Sequence, residues 1–197
     1  MNDQDSISAD APRAPADTSA GAIRAAIAAG FELGVPRDYA RQRRLRLVRE
    51  PAHLIFIGHD TQNRPQWLAP RAALAWQRMQ AVALNVGVEL QIVSAFRSVA
   101  YQLGILRRKL DAGQTIEQIL RVSAAPGYSE HHGGRALDLT TPGFTALDEE
   151  FEHSPAYGWL SANAGAFGFH QSYPRDNAHG ISYEPWHWCW HGRRKIG

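Results

Sequence analysis

The feature that most constrains the fold of this chain is the order of its periodic segments. Helix-type patterns come first, over residues 20–34 and 70–86, and strand-type patterns cluster later without a regular alternation of strand and helix. A doubly wound parallel sheet needs that alternation, so the order predicts an α+β fold with a mostly antiparallel sheet. With 197 residues, 44% of them hydrophobic, the chain can bury one ordinary core. We therefore expect a compact single domain with helices packed on the sheet.

The ends of the chain set the expected domain limits. Residues 1–20 are small, acidic and rich in Pro and Ala, which predicts a disordered tail, and residues 21–197 are expected to form the domain. The first residues lack the basic start and apolar core of a signal peptide, so the sequence as written predicts a cytoplasmic protein, or a periplasmic or envelope protein if a leader is missing. No apolar run approaches the roughly 18 residues of a membrane-spanning helix. A single cysteine excludes an internal disulfide.

Periodicity and turn residues predict the individual elements. The first helix should end at Gly30 or Gly34, and further helices are expected over residues 70–86, 98–112, 115–122 and 155–166. The helical pattern around 98–112 belongs to the segment 95–113, AFRSVAYQLGILRRKLDAG, and stops at Gly113. In the helix that opens at Pro70, the apolar positions with helical spacing are Leu74, Met79, Val82 and Val86. Trp159 and Leu160 should pack inward. Strands are expected on both sides of a polar turn at 60–63, over 89–94 and 135–141, and on both sides of a loop at 175–179.

An arginine-rich segment occupies residues 36–49, with six arginines. A helical interpretation places Leu45 and Val48 on its inward face. Such charge runs usually face water, so a solvated surface is expected rather than a patch for an anionic polymer. The net charge of +2 argues neither for nor against a nucleic-acid partner. No nucleic-acid partner is predicted.

The first cluster of candidate ligands lies in residues 129–138, SEHHGGRALD. Gly133 and Gly134 allow a tight turn after the two histidines, and the strand that follows places Asp138 on the face opposite its two leucines. If that face lines a cleft, a histidine on the turn meets Asp138 at a metal ion. The alternative is an aspartate that caps a local turn beside two exposed histidines. This segment alone leaves both interpretations open.

The second cluster lies in residues 183–191, YEPWHWCWH. Glu184 and His187 are three residues apart, but Pro185 between them fits poorly in a helix, so this is not the helical H-E-x-x-H zinc motif. An extended chain with a kink at the proline can turn both side chains toward one site. A carboxylate near a metal, but not bound to it, suits the base of a metal-activated water. The alternating tryptophans should cover the other face of the strand, and core packing is expected for Trp188 and Trp190.

These segments resemble the signatures of one family. Residues 129–138 are similar to the S-x-H-x-x-G-x-A-x-D signature of metallopeptidases that trim D-alanine from peptidoglycan stem peptides. Residues 184–187, EPWH, look like the E-P-W-H signature of the same group, the VanY-type D-alanyl-D-alanine carboxypeptidases. Residues 94–102, SAFRSVAYQ, are similar to that family's S-G-Y-R-S…Y-x-x-Q segment. The resemblance spans roughly residues 65–192.

The resemblance implies a fold and a zinc site. The fold would be hedgehog/DD-peptidase-like, with the sheet carrying one zinc ion per chain. The implied ligands are His131, Asp138 and His187, which leave a coordination position open for water as in catalytic zinc sites. Glu184 would be the general base, and Arg97 would lie near the scissile carbonyl to help stabilise the oxyanion.

The resemblance also implies weaker assignments around this site. Gln102, Ser129 and Trp186 match positions that would contact the substrate. His132, next to a ligand, would either support that ligand or be an exposed bystander, and we expect the bystander.

Two departures from the family pattern follow the last motif. Cys189 stands where an arginine is common, and His191 stands where an aliphatic residue is common. Cys189 is close to the proposed ligands in sequence, but His187 fits the motif better. We therefore expect Cys189 to be a free thiol.

The function implied by the resemblance is a zinc-dependent carboxypeptidase. It would hydrolyse the C-terminal D-alanine of peptidoglycan stem peptides or muropeptides, by Glu-assisted attack of zinc-bound water. One alternative is a peptidoglycan endopeptidase of the same fold. Another is a zinc-bearing binding module without catalysis, against which the intact Glu184 and Arg97 argue.

Overall fold

The computed structural model describes residue 12 and residues 19–192, in an α+β arrangement. The expected disordered tail therefore lies outside the described residues, except at its end, where Ser19 caps the first helix. The helices are α1 (Ala20–Glu32), α2 (Tyr39–Gln42), α3 (Pro70–Asn85), α4 (Val99–Asp111), α5 (Ile116–Val122) and α6 (Pro155–Asn163). The strands are β1 (Ile55–His59), β2 (Pro65–Leu68), β3 (Gln91–Ser94), β4 (Ala136–Thr140), β5 (Phe169–Gln171) and β6 (His187–Trp190). Short 3-10 turns cover Glu130–Gly133, Glu149–His153 and Ala164–Phe167.

Local capping explains where several helices begin and end. Thr115 caps α5 with a reciprocal capping box to Gln118. The Ser98 hydroxyl accepts a hydrogen bond from Tyr101 N and so starts α4 directly after Arg97. Helix α1 runs past Gly30 and ends before Gly34, whose φ of +102° breaks the helix.

Helix α3 forms as predicted but buries another face. The buried residues are Ala72, Ala73, Trp76, Met79 and Ala83, whereas three of the predicted apolar positions are exposed, namely Leu74, Val82 and Val86. Of the four apolar positions that gave the helical spacing, only Met79 is therefore buried. The small alanines let the helix axis approach the sheet, and Trp76 fills the remaining space.

The helical interpretation of the arginine-rich segment is also wrong. Only Tyr39–Gln42 is helical, because Arg44 adopts a left-handed φ of +51° that ends the helix. The chain beyond is irregular, and its Val48 N donates to Gly127 O at 2.8 Å. Five of the six arginines are exposed, in agreement with a solvated surface.

The main sheet has four antiparallel strands in the order β3-β4-β6-β5, which confirms the predicted class. β1 and β2 form a separate antiparallel hairpin around the predicted polar turn. In the register of the central strands, Asp138 lies opposite His187 and Leu137 lies opposite Trp188. The central pair therefore presents one polar and one apolar face.

Two hydrophobic clusters support the sheet. The first packs α3 and α6 against the apolar face, with Leu137, Leu139, Leu160 and Trp188 buried and Trp159 half-buried at its edge. This confirms the inward packing predicted for Trp159, Leu160 and Trp188. The second cluster joins α1, α4 and α5 to Tyr39. Across residues 12 and 19–192, every helix is too short or too polar to cross a bilayer.

Candidate active site

Three side chains predicted as metal ligands converge on the polar face of the sheet. His131 comes from the 3-10 turn that follows Ser129, Asp138 from the middle of β4, and His187 from the first position of β6. All three are at most 4% exposed. One ligand atom from each lies within 4.8 Å of the others. Residues from two separate segments of the sequence, 131–138 and 187, therefore form one buried group.

The His131 ring has one nitrogen engaged and one directed into the group. Its Nδ1 lies 2.5 Å from the carbonyl oxygen of Ala95, an acceptor, so Nδ1 carries the proton and donates. Its Nε2 lies 3.2 Å from Asp138 Oδ2 yet forms no hydrogen bond with any described residue. Burial, together with the positive charge of Arg97, lowers the pKa of His131 to about 4. A neutral imidazole with an unused buried lone pair is what a metal ion needs.

His187 is held between two carboxylates. Its Nδ1 lies 3.0 Å from Asp138 Oδ1 and its Nε2 lies 2.9 Å from Glu130 Oε2. Burial alone would lower the pKa of His187, but the two carboxylates outweigh it and raise the pKa to about 10. With Nε2–H donating to Glu130, Nδ1 is the nitrogen that faces Asp138 and the ligand group.

The donor set fits zinc. Two imidazoles and one carboxylate, with a position left open, are typical of catalytic rather than structural zinc sites. The unused Nε2 of His131 is the strongest sign, because a buried nitrogen without a partner costs free energy unless something binds it. His131, Asp138 and His187 would hold the ion.

Glu184 lies at the edge of this group. Its Oε2 is 3.8 Å from His187 Nδ1, and His187 N donates to Glu184 O across the turn that contains Pro185. Burial raises the pKa of Glu184 to about 7 and Asp138 adds to the rise, against the opposing charges of His187 and Arg97. A carboxylate with a pKa near neutrality is suited to proton transfer.

Arg97 approaches the group from the loop before α4. Its Nη2 lies 3.6 Å from Asp138 Oδ2, and its side chain is 21% exposed. Its Nε is buried and has no hydrogen-bond partner among the described residues. The guanidinium therefore keeps donors available for a ligand in the cleft.

His132 is not the exposed bystander that the sequence predicted. It is fully buried, its Nδ1 lies 2.6 Å from Arg97 O, and its Nε2 accepts from Gly127 N. Burial lowers its pKa to about 4. The neutral ring thus fixes the backbone of Arg97 against the segment that carries His131.

A cleft of about 470 Å³ opens over the site. It is lined by the three predicted ligands and Glu184, and also by Arg97, Ser129 and Trp186. Ser129 additionally caps the 3-10 turn, since its hydroxyl accepts a hydrogen bond from His131 N. The structure brings all of these predicted residues together.

Gln102 is the exception among the predicted substrate contacts. Its side chain is 2% exposed, and its amide nitrogen donates to Ser123 Oγ and Ala124 O, each at 2.8 Å. The residue lies one turn into α4 and points under the cleft wall rather than into the cleft. Gln102 therefore positions the segment at 123–124, which does line the cleft.

Two residues of the site were missed by the sequence interpretation. Glu130 occupies a variable position of the signature, so only its contact with His187 reveals it. Lys109 lines the cleft from α4, and no carboxylate of the described residues lies within ion-pair distance of it. Burial and the charge of Arg97 lower the pKa of Lys109. No motif of the sequence names its position.

A buried His-Asp-His group with a carboxylate at its rim, in an α+β domain, is the arrangement expected of a metal-dependent hydrolase. The sequence profile of the VanY family, described as D-alanyl-D-alanine carboxypeptidase, matches residues 65–193. The chain belongs to this family of metallopeptidases.

Individual relatives agree with this assignment. The chain is 29% identical over 153 residues to YodJ of Bacillus subtilis (strain 168), covering 74% of this chain and 55% of that protein. The chain thus spans little more than half the length of this relative.

Two solved structures are similar. The LD-carboxypeptidase LdcB has a TM-score of 0.66 and 29% identity, over 74% of this chain and 71% of that one. The vancomycin resistance D,D-pentapeptidase VanY from the VanB-type cassette, in complex with Zn(II), has a TM-score of 0.56 and 28% identity, over 76% and 89%. The zinc in that relative agrees with the donor set found here.

Proposed function

We propose that this protein is a zinc carboxypeptidase, with one catalytic zinc ion per chain, that releases the C-terminal D-alanine of peptidoglycan stem peptides. The observation that carries the proposal is the position of Glu184, at the rim of the ligand group and within the same cleft as two cationic side chains. Family membership and the D,D- and L,D-peptidase activities named for the similar structures support it.

The residues divide the chemistry of hydrolysis among them. Zinc, when bound, supplies a Lewis acid that activates a water and polarises the scissile carbonyl. Glu184 takes the proton of the attacking water and passes it to the leaving amine, for which a pKa near neutrality is favourable. The guanidinium of Arg97 donates to the oxygen on which negative charge develops.

The cleft also offers groups for a free terminal carboxylate. Burying the terminal carboxylate without a partner would cost roughly several kcal/mol. Hydrogen-bond donors must therefore lie near the carboxylate. Lys109 supplies an ammonium that forms no ion pair within the described part of the chain, and Ser129 supplies a hydroxyl in the same cleft. Trp186 forms part of the wall and limits the space beside them. A small terminal residue with a free carboxylate fits these features.

A peptide assay tests the proposal. Zinc-loaded protein is incubated with tri-, tetra- and pentapeptide stems, each with a free or an amidated C terminus, and the products are identified by mass spectrometry. We expect release of single D-alanine from a free-ended stem and loss of most cleavage on amidation, because the amide loses charge-assisted hydrogen bonds. Which stem is preferred separates D,D- from L,D-specificity. Fragments from inside the stem, or equal cleavage of the amidated peptide, would instead establish an endopeptidase.

A matched pair of variants tests the carboxylate contact. Lys109→Gln should raise KM for the free-ended peptide about tenfold or more, the scale of one hydrogen bond to a charged group, with zinc content unchanged. Arg107→Gln removes a cation from an exposed position on the same helix and should leave KM unchanged. Equal KM values for both variants would remove Lys109 from the proposal.

A further inference from the structure

A second group of metal-binding side chains lies beside the catalytic group. Glu130, Cys189 and His191 each place one ligand atom within 4.8 Å of the others, and none of them belongs to the set His131, Asp138 and His187. We infer that these three residues form a second, separate binding site for a divalent cation of the zinc class.

The fold brings these ligands together through the alternation of one strand. His187, Cys189 and His191 are alternate residues along β6 and its extension, so their side chains lie on the same face. Glu130, on the 3-10 turn, lies over this row. Its Oε2 contacts His187 Nε2 at 2.9 Å, and its Oε1 lies 4.0 Å from His191 Nε2. One oxygen of the carboxylate therefore faces the catalytic site while the other faces the second group.

The chemistry of the donors selects the ion. Thiolate, imidazole and carboxylate together are typical zinc ligands, whereas Mg²⁺ and Ca²⁺ prefer oxygen alone. Zinc bonds of about 2.0–2.3 Å in tetrahedral geometry place ligand atoms roughly 3–4 Å apart. The present spacing therefore needs only a small movement of His191, whose side chain is 48% exposed. That exposure also leaves a coordination position for water.

Two of the three ligands stand at positions already noted in the sequence. Cys189 and His191 are the two positions at which the last segment departs from the family pattern. Binding requires one covalent change, in which the S–H bond of Cys189 breaks, a sulfur–metal bond forms and the proton passes to solvent. No oxidant or reductant is involved, and the inference does not depend on which peptide the catalytic site cleaves.

Cobalt substitution provides a direct test, because Cys189 is the only cysteine of the chain. Thiolate-to-cobalt charge-transfer absorption therefore reports on this residue alone, and the catalytic ligands contain no sulfur. At saturating Co²⁺ we expect two equivalents bound and a thiolate band. Cys189→Ser and His191→Leu should each lose the band and one equivalent while they keep the other equivalent and peptide hydrolysis. His153→Leu, the same change at an exposed histidine elsewhere, should keep the band.

Several outcomes would overturn the inference. They are a single equivalent bound without a thiolate band, a band that survives His191→Leu, or a Cys189→Ser variant that loses the catalytic metal together with the band. Failure of the proposed function gives a different result, since an inactive protein that shows the full thiolate band retains the second site.

Discussion

At the scale of single residues, three carboxylates surround His187 and their environments give them different tasks. Burial opposes the charge of Asp138, but His131, His187 and Arg97 outweigh it and hold the pKa of Asp138 well below its usual value. Glu130 is only partly buried; desolvation opposes its charge as well, yet its contact with His187 lowers its pKa to about 2. At Glu184 the nearby positive charges do not offset the effect of burial, and its pKa rises to about 7. Two carboxylates are therefore set as permanent anions and one as a proton acceptor.

Replacement of Glu184 separates catalysis from binding. Glu184→Gln keeps the shape of the side chain but removes the base, so turnover should fall by about 100-fold or more while zinc and peptide still bind. In the wild type, kcat/KM should fall as the pH drops through the pKa of Glu184, since the protonated acid cannot accept a proton. A bound cation lowers that pKa, which places the acid limb below about 7.

The control for this change is Glu149→Gln, which removes another carboxylate from the same cleft. It should alter turnover only a few-fold. Zinc content measured by elemental analysis should be the same for both variants, and undiminished hydrolysis by Glu184→Gln would show that another group is the base.

Glu130 is expected to act through His187 rather than on the substrate. Its carboxylate orients the His187 ring so that Nδ1 faces the ligand group. Loss of such a partner usually weakens metal binding by about 10–100-fold, and we expect this for Glu130→Gln in competition with a chelator. Glu117→Gln, on the exposed surface of α5, should leave zinc affinity unchanged. If the two variants bind zinc equally, the orienting role is disproved.

The sequence could predict some of these residues but not others. The ligands and Glu184 stand at positions that a signature names, so they were accessible without coordinates. Glu130 occupies a position at which the signature accepts any residue, and its role depends on a residue 57 positions away. The burial of His132 likewise depends on Gly127 and Arg97, whose carbonyl the ring reaches only after the fold forms.

At the scale of elements, one turn connects His131 to the sheet. Gly134 ends the 3-10 turn with φ +60°, and its backbone lies so close to the segment before α3 that a Cβ would come 2.8 Å from Ala69 N. That nitrogen also donates to Gly134 O. The turn can therefore accept neither a side chain nor a displacement without moving a ligand.

Gly134→Ala should consequently destabilise the protein by more than its backbone conformation alone explains. The left-handed conformation costs about 1–2 kcal/mol, and the backbone clash adds about 1–3 kcal/mol. Gly143→Ala is the matched control, because Gly143 has φ +87° but nothing within 4 Å of its Cβ. Chemical unfolding of both variants measures the difference. Equal losses of stability in the two variants would show that the turn at Gly134 can move to accommodate the added Cβ.

Element types were easier to predict than the faces they bury. Helix α3 contains two stripes of apolar residues, and periodicity alone favoured the stripe with Leu74 and Val82, which faces water. The buried stripe consists of alanines around Trp76. The small volume of the alanines matters only when the sheet is in place. Likewise, Gln102 was predicted to face the cleft, but Ser123 and Ala124 offer its amide buried partners.

At the scale of the whole molecule, the metal ligands join two separately packed parts. Asp138 and His187 belong to strands whose other face packs into the first hydrophobic cluster. His131 follows a segment in which Ala125 and Tyr128 pack into the second cluster with α1, α4 and α5. An ion bound by His131, Asp138 and His187 would therefore hold the second cluster against the sheet.

Zinc should accordingly stabilise the whole protein and protect particular segments. At zinc 100-fold above its Kd, the free energy of unfolding should rise by about 2.7 kcal/mol, and Tm by about 5–10 °C for a chain of this size. In hydrogen exchange, residues 125–134 and 184–190 should gain protection, because ligand binding suppresses local opening where the ligands lie. Helix α3, whose buried residues all belong to the first cluster, serves as the internal reference and should change little. His187→Ala should abolish both effects. Uniform protection across α3 and the site would mean that the sheet and the second cluster open as one unit. The ion would then not be what holds the second cluster to the sheet.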